Sequence, residues 1–294
     1  MKKTLCAVLC ALVLSLGLGG CADPVPAQIA ATTLPVYEFT DRLCQGTPLE
    51  VVRLVTEEVS CLHDYSLNVR QVKAAEAAET IVISGAGLED FLDGILTEEK
   101  LIDASLGIEL LCPEEESDHE HDHDHGHSHE NDPHIWLAPE NAMIMARNIC
   151  DGLCLQYPQY ADTFRSNLEP LIRELEELQE YGRETLSDLA CRELITFHDG
   201  FAYFAEAFDL QILEAIEEES GSEASAKELI RLIEETQHHA LPAVFTEMNG
   251  SPSAAQVISR ETGAKVFALD MAMAGESYFG SMKHNIDTVK EALG

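Results

Sequence analysis

The chain has 294 residues, more than one compact core usually holds, because single cores stop growing near ~250–300 residues; two lobes are expected. Hydrophobic residues at 46% and charged residues at 24% fit a globular protein and exclude a disordered or membrane-embedded one. Lys and Arg number 18 against 53 Asp and Glu, a net charge of −35 with no basic stripe, which excludes nucleic-acid binding.

Residues 1–21 read as an address. Lys2 and Lys3 precede an apolar run from Leu5 to Leu18, shorter than the ~20 residues of a spanning helix. Leu18, Gly19, Gly20 and Cys21 close it and resemble a bacterial lipobox, in which the Cys becomes the lipidated first residue. The expectation is a signal peptide with lipidation at Cys21, and a body that is extracytoplasmic and lipid-anchored to the cell membrane.

From 27 to 157 strand and helix signals alternate. EVVRLVT (50–56) and TIVIS (80–84) are short β-rich runs, 36–43 and 69–78 read as helices, and GLEDFLDG (87–94) reads as a helix start followed by a break. Such alternation predicts an α/β lobe with a mostly parallel sheet. Inside this span, 114–132 (EEESDHEHDHDHGHSHEND) carries His119, His121, His123, His125, His127 and His129 at alternate positions, nine carboxylates and no apolar side chain. It cannot build a core, so it is expected to be a solvated loop. Its imidazoles and carboxylates form a loose, multi-site ligand set for borderline divalent ions, Zn²⁺ above all. Such a segment can collect metal; a selective site needs a preorganised ligand shell. The bland alternative is a low-complexity linker.

Residues 158–188 predict a connector. Pro158 suits a first helical position, and Leu168, Leu171, Ile172, Leu175 and Leu178 form a narrow apolar stripe on a long charged helix. Over 189–294 the alternation resumes, with strands at 193–197 (ELITF), 243–246 (AVFT) and 265–269 (KVFAL), and helices near 200–208, 225–238, 253–262 and 277–293. Outside the leader the cysteines are Cys44, Cys61, Cys112, Cys150, Cys154 and Cys191; six allow fifteen pairings, and the sequence chooses none. Cys150 and Cys154, one helical turn apart, are poorly placed for a bridge within one helix.

Six further histidines remain: His63, His134, His198, His238, His239 and His284. His198 directly follows the ELITF strand and Asp270 directly follows the KVFAL strand, positions that line the ligand crevice of α/β sheets. His63 lies in the loop after EVVRLVT, and His134 lies between the His-rich segment and a helix that Pro139 can start. Any one of these is ordinarily structural; four metal-competent side chains, two per lobe, point to a shared centre. His238, His239 and His284 have polar helical neighbours and read as solvated. Asp64 and Asp199, each one residue after a candidate ligand, suit either orienting an imidazole or capping a helix.

The stretches TTLPVYEFTDRLCQG, LHDYSLNVRQVKAAEAAETIVISGAGLEDFL, DPHIWLAPENA, ITFHDGFAYFAEAF, FTEMNGSPSAAQVISRETGAKVFALD and GESYFGSMKHNIDTVKEAL resemble the metal-specific substrate-binding lipoproteins of bacterial ABC importers, in their zinc-uptake branch. DPHIWL and TFHDGFAYF are the specific markers, and the likeness covers nearly the whole mature chain. It implies two (β/α) lobes joined by one long rigid helix, with a metal site in the interlobe cleft. Carried over by position, the ligands are His63, His134, His198 and Asp270. The manganese branch typically has Glu where His198 stands; three imidazoles and one carboxylate favour Zn²⁺ over Mn²⁺. The sequence departs from the family at EEVSCLHDY, before the first ligand, and at MAMAGESYF, after Asp270, which leaves Glu276 as a competitor for the fourth place.

The implied role is capture and delivery to a membrane permease and its ATPase by a monomer, with small lobe shifts. A shell closed by protein ligands leaves no position for an activated water, and protons should compete with metal for the three imidazoles. One rival is an extracytoplasmic hydrolase, although neither H-E-x-x-H nor G-x-S-x-G occurs. Another is a surface metal buffer in which the His-rich segment is the working part.

Overall fold

A computed structural model of the chain describes residues 27–57, 62, 65–111, 131–215 and 224–294. The first half contains β1 (Ile29–Ala31), α1 (Leu34–Cys44), β2 (Val51–Arg53), α2 (Val69–Ala77), β3 (Thr80–Ile83) and β4 (Leu101–Asp103). These strands form a parallel sheet in the order β2-β1-β3-β4. Then come α3 (Pro139–Gln156) and α4 (Ala161–Thr185). The second half contains β5 (Glu193–Thr196), α5 (Ala202–Ala207), β6 (Gln211–Ala215), α6 (Ala226–His238), β7 (Ala243–Glu247), α7 (Ser253–Thr262), β8 (Lys265–Leu269) and α8 (Tyr278–Leu293). Its sheet is parallel in the order β6-β5-β7-β8. Both sheets are wound alike, and each has a switch point, between β1 and β3 and between β5 and β7, where α/β sheets open a ligand crevice.

Each sheet is covered on both faces, which explains strands as apolar as β3 and β7. Alternate residues divide between the layers. Ala30, Ile81 and Ile83 pack with Ala75 and Ala78, whereas Ile29, Ala31 and Val82 join the central core. In the second sheet Ile195 and Val244 pack with Leu232 and Ile258, while Leu194, Ala243 and Phe245 face the centre. Local sequence starts two of the outer helices. Asn68 with Gln71, and Ser225 with Glu228, form capping boxes that satisfy the first N–H groups of α2 and α6.

The connector differs in detail from the sequence expectation. Pro158 opens a 3-10 turn, Pro158–Tyr160, and the α-helix begins at Ala161. It then runs 25 residues, roughly 37 Å at ~1.5 Å per residue. Leu171, Leu175 and Leu178 of the expected stripe are buried, joined by Phe164 and Gly182; Leu168 and Ile172 lie at its half-buried edge. This helix packs on α1 and α3 from the first half and on α8 from the second. One continuous core therefore reaches from Ile29 through Trp136 and Leu171 to Leu293.

Three strands escaped the sequence reading. β1 and β4 have only three residues each, too few for alternation to register, and β6 is an edge strand with only partial burial. The GLEDFLDG segment contracts to a single 3-10 turn, Asp90–Leu92. Cys44, Cys150, Cys154 and Cys191 are free thiols; Cys61 and Cys112 lie outside the described residues. Among the described residues no helix is long and apolar enough to cross a membrane.

Candidate metal centre

His134 is held by its own neighbourhood. Asp132 Oδ1 accepts from the His134 backbone N–H at 2.9 Å and faces His134 Nδ1 at 2.8 Å. A 3-10 turn, Ile135–Leu137, follows, and it drives Trp136 into the core, where its ring meets the imidazole edge-on at 5.4 Å. His198 comes from the second sheet. Its backbone is extended, its carbonyl accepts from Thr196 Oγ1 at 2.8 Å, and the preceding Phe197 N–H donates to the Phe245 carbonyl at 3.0 Å. Its Nδ1 lies 3.4 Å from Glu247 Oε1, at the end of β7.

Both imidazoles are buried, at 2% and 7% exposure. Their rings meet edge to face at 5.0 Å, with His198 Nε2 3.3 Å from His134 Nε2. A carboxylate behind each Nδ1 favours the Nδ1–H tautomer and leaves the Nε2 lone pair for a metal. A tetrahedral zinc ion with Zn–N bonds of ~2.0–2.1 Å holds its ligand nitrogens about 3.3–3.4 Å apart. The observed spacing fits that edge.

Gly200 makes the approach possible: a Cβ there would sit 2.6 Å from Met271 Cε, 2.8 Å from His134 Nδ1 and 2.8 Å from His198 Cδ2. Asp270, one residue before Met271, is half-buried and firmly seated. Its Oδ1 accepts from Ala272 N–H at 2.9 Å and its Oδ2 from Ser281 Oγ at 2.6 Å. Asn285 clamps its backbone from both sides, at 2.7 Å each. Among the described residues, no third His, Cys, Asp or Glu completes a metal-holding group with the two imidazoles.

His63, Asp64, Cys21 and the six histidines from His119 to His129 lie outside the described residues. Glu276 is exposed, as are His238 and His284. His239 departs from the solvated reading: it is half-buried, with Nδ1 3.0 Å from Glu193 Oε2 and Nε2 3.5 Å from Glu235 Oε2. The carboxylates that meet the two imidazoles are Asp132 and Glu247; Asp199 begins the 3-10 turn after His198. Sequence reasoning missed both roles. Glu247 ends a strand just as His198 and Asp270 follow theirs, so the strand-end argument could have found it. Asp132 was concealed at the end of an acid-rich run.

Like-wound α/β lobes fastened along one helix, with a buried imidazole pair presented by a 3-10 turn and by a strand end, define a two-lobed solute-binding protein with a metal-competent centre. The chain belongs to the family described as zinc-uptake complex component A, periplasmic, which it matches over residues 29–292. That is a family of solute-binding transport components and not of enzymes. The chain is 30% identical over 312 aligned residues to the zinc-binding lipoprotein AdcA of Streptococcus pneumoniae (strain ATCC BAA-255 / R6), covering 99% of this chain and 61% of that one. It thus spans 61% of the length of that relative. The crystal structure of ZnuA superposes with a TM-score of 0.75 at 28% identity, covering 90% of this chain and 99% of that one. The Zn(II)-bound ZnuA-like domain of Streptococcus pneumoniae AdcA gives a TM-score of 0.74 at 27% identity, covering 90% and 98%.

Proposed function

We propose that this chain is the extracytoplasmic receptor of an ABC importer, capturing Zn²⁺ between its lobes and delivering it to a membrane permease served by an ATPase. The observation that carries this reading is the pair of Nε2 atoms 3.3 Å apart, each imidazole backed at Nδ1 by a carboxylate. In this reading His63 and Asp270 complete the ligand set when an ion binds, which requires Asp270 to turn toward the two imidazoles, since it forms no metal-holding group with them as they stand. The Asp270 oxygens accept one hydrogen bond each, and a carboxylate has lone pairs to spare for a metal. Three nitrogens and one oxygen suit Zn²⁺ better than Mn²⁺. With four protein ligands the shell is closed, so the ion is carried and not used for chemistry.

The remaining parts follow the same logic. Residues 27–157 and 189–294 act as the two lobes, with 158–188 between them, and the 114–132 segment gathers metal. Cys21 anchors the monomer to the membrane through lipid. The core shared across both halves favours small lobe shifts over a wide hinge motion, because packed interiors resist continuous deformation.

The test is native mass spectrometry with competing Zn²⁺ and Mn²⁺ on the lipid-free mature chain, beside a 114–130 deletion, which spares the Asp132 that holds His134, and His198→Ala. One tight Zn²⁺ that survives the deletion, resists Mn²⁺ and weakens in His198→Ala supports the receptor. Tight binding that vanishes with the deletion and ignores His198 would make the chain a metal buffer instead.

A further inference from the structure

We infer that Glu247 is a positioning residue of the metal centre: it holds His198 with the proton on Nδ1 and so aims the Nε2 lone pair at the ion. Strand pairing places it there. β5 and β7 are paired with Thr196 opposite Phe245, and Phe197 N–H donates to the Phe245 carbonyl. Two residues beyond that pairing, His198 and Glu247 come side by side at the same sheet end, with Nδ1 to Oε1 at 3.4 Å. The far side of β7 is fixed as well. Glu247 lies opposite Leu269 of β8, and Met248 N–H donates to the Leu269 carbonyl at 2.9 Å. Glu247 therefore stands between the strand that leads into His198 and the strand that leads into Asp270.

Its burial, at 9% exposure, makes the contact consequential, since a carboxylate withdrawn from water interacts far more strongly with a nearby N–H than an exposed one. An imidazole without such a partner populates both tautomers, and the Nε2–H form puts a hydrogen where the metal must sit. His134 has the same support from Asp132, two residues before it in sequence. His198 obtains it only through tertiary register, so the two imidazoles become a matched pair through different means.

This inference rests on His198 being a metal ligand, and the experiment separates the two claims. The metal-free protein, labelled with ¹⁵N, is examined by long-range proton–nitrogen correlation at a pH where imidazoles are neutral. His198 in the unsubstituted chain is expected as Nδ1–H. Glu247→Met, similar in length but without an acceptor, should give a mixture of tautomers. Glu247→Gln, which keeps an acceptor oxygen, should restore most of the Nδ1–H form. Zinc affinity should fall about 10- to 100-fold in the Met variant and less in the Gln variant, with thermal melts confirming that each is folded. An Nδ1–H population in Glu247→Met equal to that of the unsubstituted chain would overturn the inference. Should the Met variant fail to fold, His198 observed as the Nε2–H tautomer in the unsubstituted metal-free chain would overturn it equally. Undiminished zinc binding in His198→Ala would instead remove the ligand assignment, whatever the tautomers show.

Discussion

Trp136 donates its indole N–H to the Met271 carbonyl at 2.7 Å, across 135 residues of sequence. The bond ties the segment that presents His134 to the segment that begins with Asp270. It heads a strap of lobe-crossing contacts. Leu34 N–H reaches the Met273 carbonyl at 3.0 Å, Arg53 Nη1 reaches the Gly275 carbonyl at 2.8 Å, and Glu38 Oε2 accepts from Tyr278 N–H at 2.7 Å. The chain after Asp270 is thus bonded to the first half at 271, 273, 275 and 278, although β8 belongs to the second sheet.

Trp136→Phe keeps a ring in the pocket but leaves the buried Met271 carbonyl without its donor, a loss of about 1–3 kcal/mol. Zinc binding should weaken with it, because Asp270 loses its outer support. Tyr278 donates its hydroxyl to the Trp136 carbonyl at 2.8 Å, so Tyr278→Phe should cost about 1 kcal/mol. The double variant should fall short of the sum, since both bonds hold one residue. Urea unfolding with a zinc titration decides this; wild-type stability in Trp136→Phe would show that the strap contributes nothing.

Glu89 supplies a pH signature in the first lobe. It lies at the carboxyl ends of β1 and β3, where its Oε1 accepts from Thr32 Oγ1 and Ser84 N–H, both at 2.7 Å, and its Oε2 from Gly85 N–H at 3.0 Å. Burial outweighs these donors and pushes the carboxyl up to about 7. A carboxyl raised above its ordinary 4.5 binds its proton more tightly folded than unfolded, so its contribution is greatest below about 4.5 and declines as pH rises through about 7. The span is on the order of 3 kcal/mol. Glu89→Gln cannot ionise, so the difference between the two stability curves should slope over that window and be level outside it. A constant difference from pH 4 to 8, by chemical denaturation, would contradict the assignment.

What could be read from sequence was whatever short-range rules govern. Ser225 and Ser277 stand as caps just before helices that start within one residue of the expected positions, and His198 and Asp270 follow strands whose apolar runs are plain. The rest depends on pairing between distant segments. No local pattern says that Thr196 lies opposite Phe245, so the strand-end position of Glu247 is legible while its partnership with His198 is not. Trp136 was legible as a large apolar residue destined for a core, but its bond to Met271 was not. GLEDFLDG has helical spacing, yet Glu89 turns inward to cap the ends of two strands, and only a 3-10 turn forms.

Gly182 allows the second lobe to seat against α4. A Cβ there would lie 2.2 Å from Phe208 Cε1 and 2.6 Å from Cζ. Ala is the better helix former by about 1 kcal/mol, but forcing a ring aside in a packed core costs about 1–3 kcal/mol. Gly182→Ala should therefore lower the melting temperature. In a Phe208→Leu background, with the ring gone, the same substitution should be neutral or stabilising. The reversal of sign is the diagnostic; equal effects in both backgrounds would mean that the contact is not what sets the residue.

Gly200 sets the distance between the two imidazoles. It follows His198 by two residues in the 3-10 turn Asp199–Phe201, and its missing side chain is the space shared by Met271, His134 and His198. Met271 Cε is the tip of a flexible side chain and can swing aside, but the imidazoles are held: His134 is bound twice by Asp132 and His198 is backed by Glu247. A methyl group at Gly200 must therefore move an imidazole, and a shift of even a few tenths of an ångström spoils an edge matched to a tetrahedral ion. Gly200→Ala is expected to weaken zinc binding at least about tenfold while retaining the folded circular-dichroism spectrum. Isothermal titration on a 114–130 deletion, which retains Asp132, isolates the cleft from the His-rich segment. Unchanged affinity there would mean that the imidazole spacing, and with it the proposed zinc edge, does not govern binding.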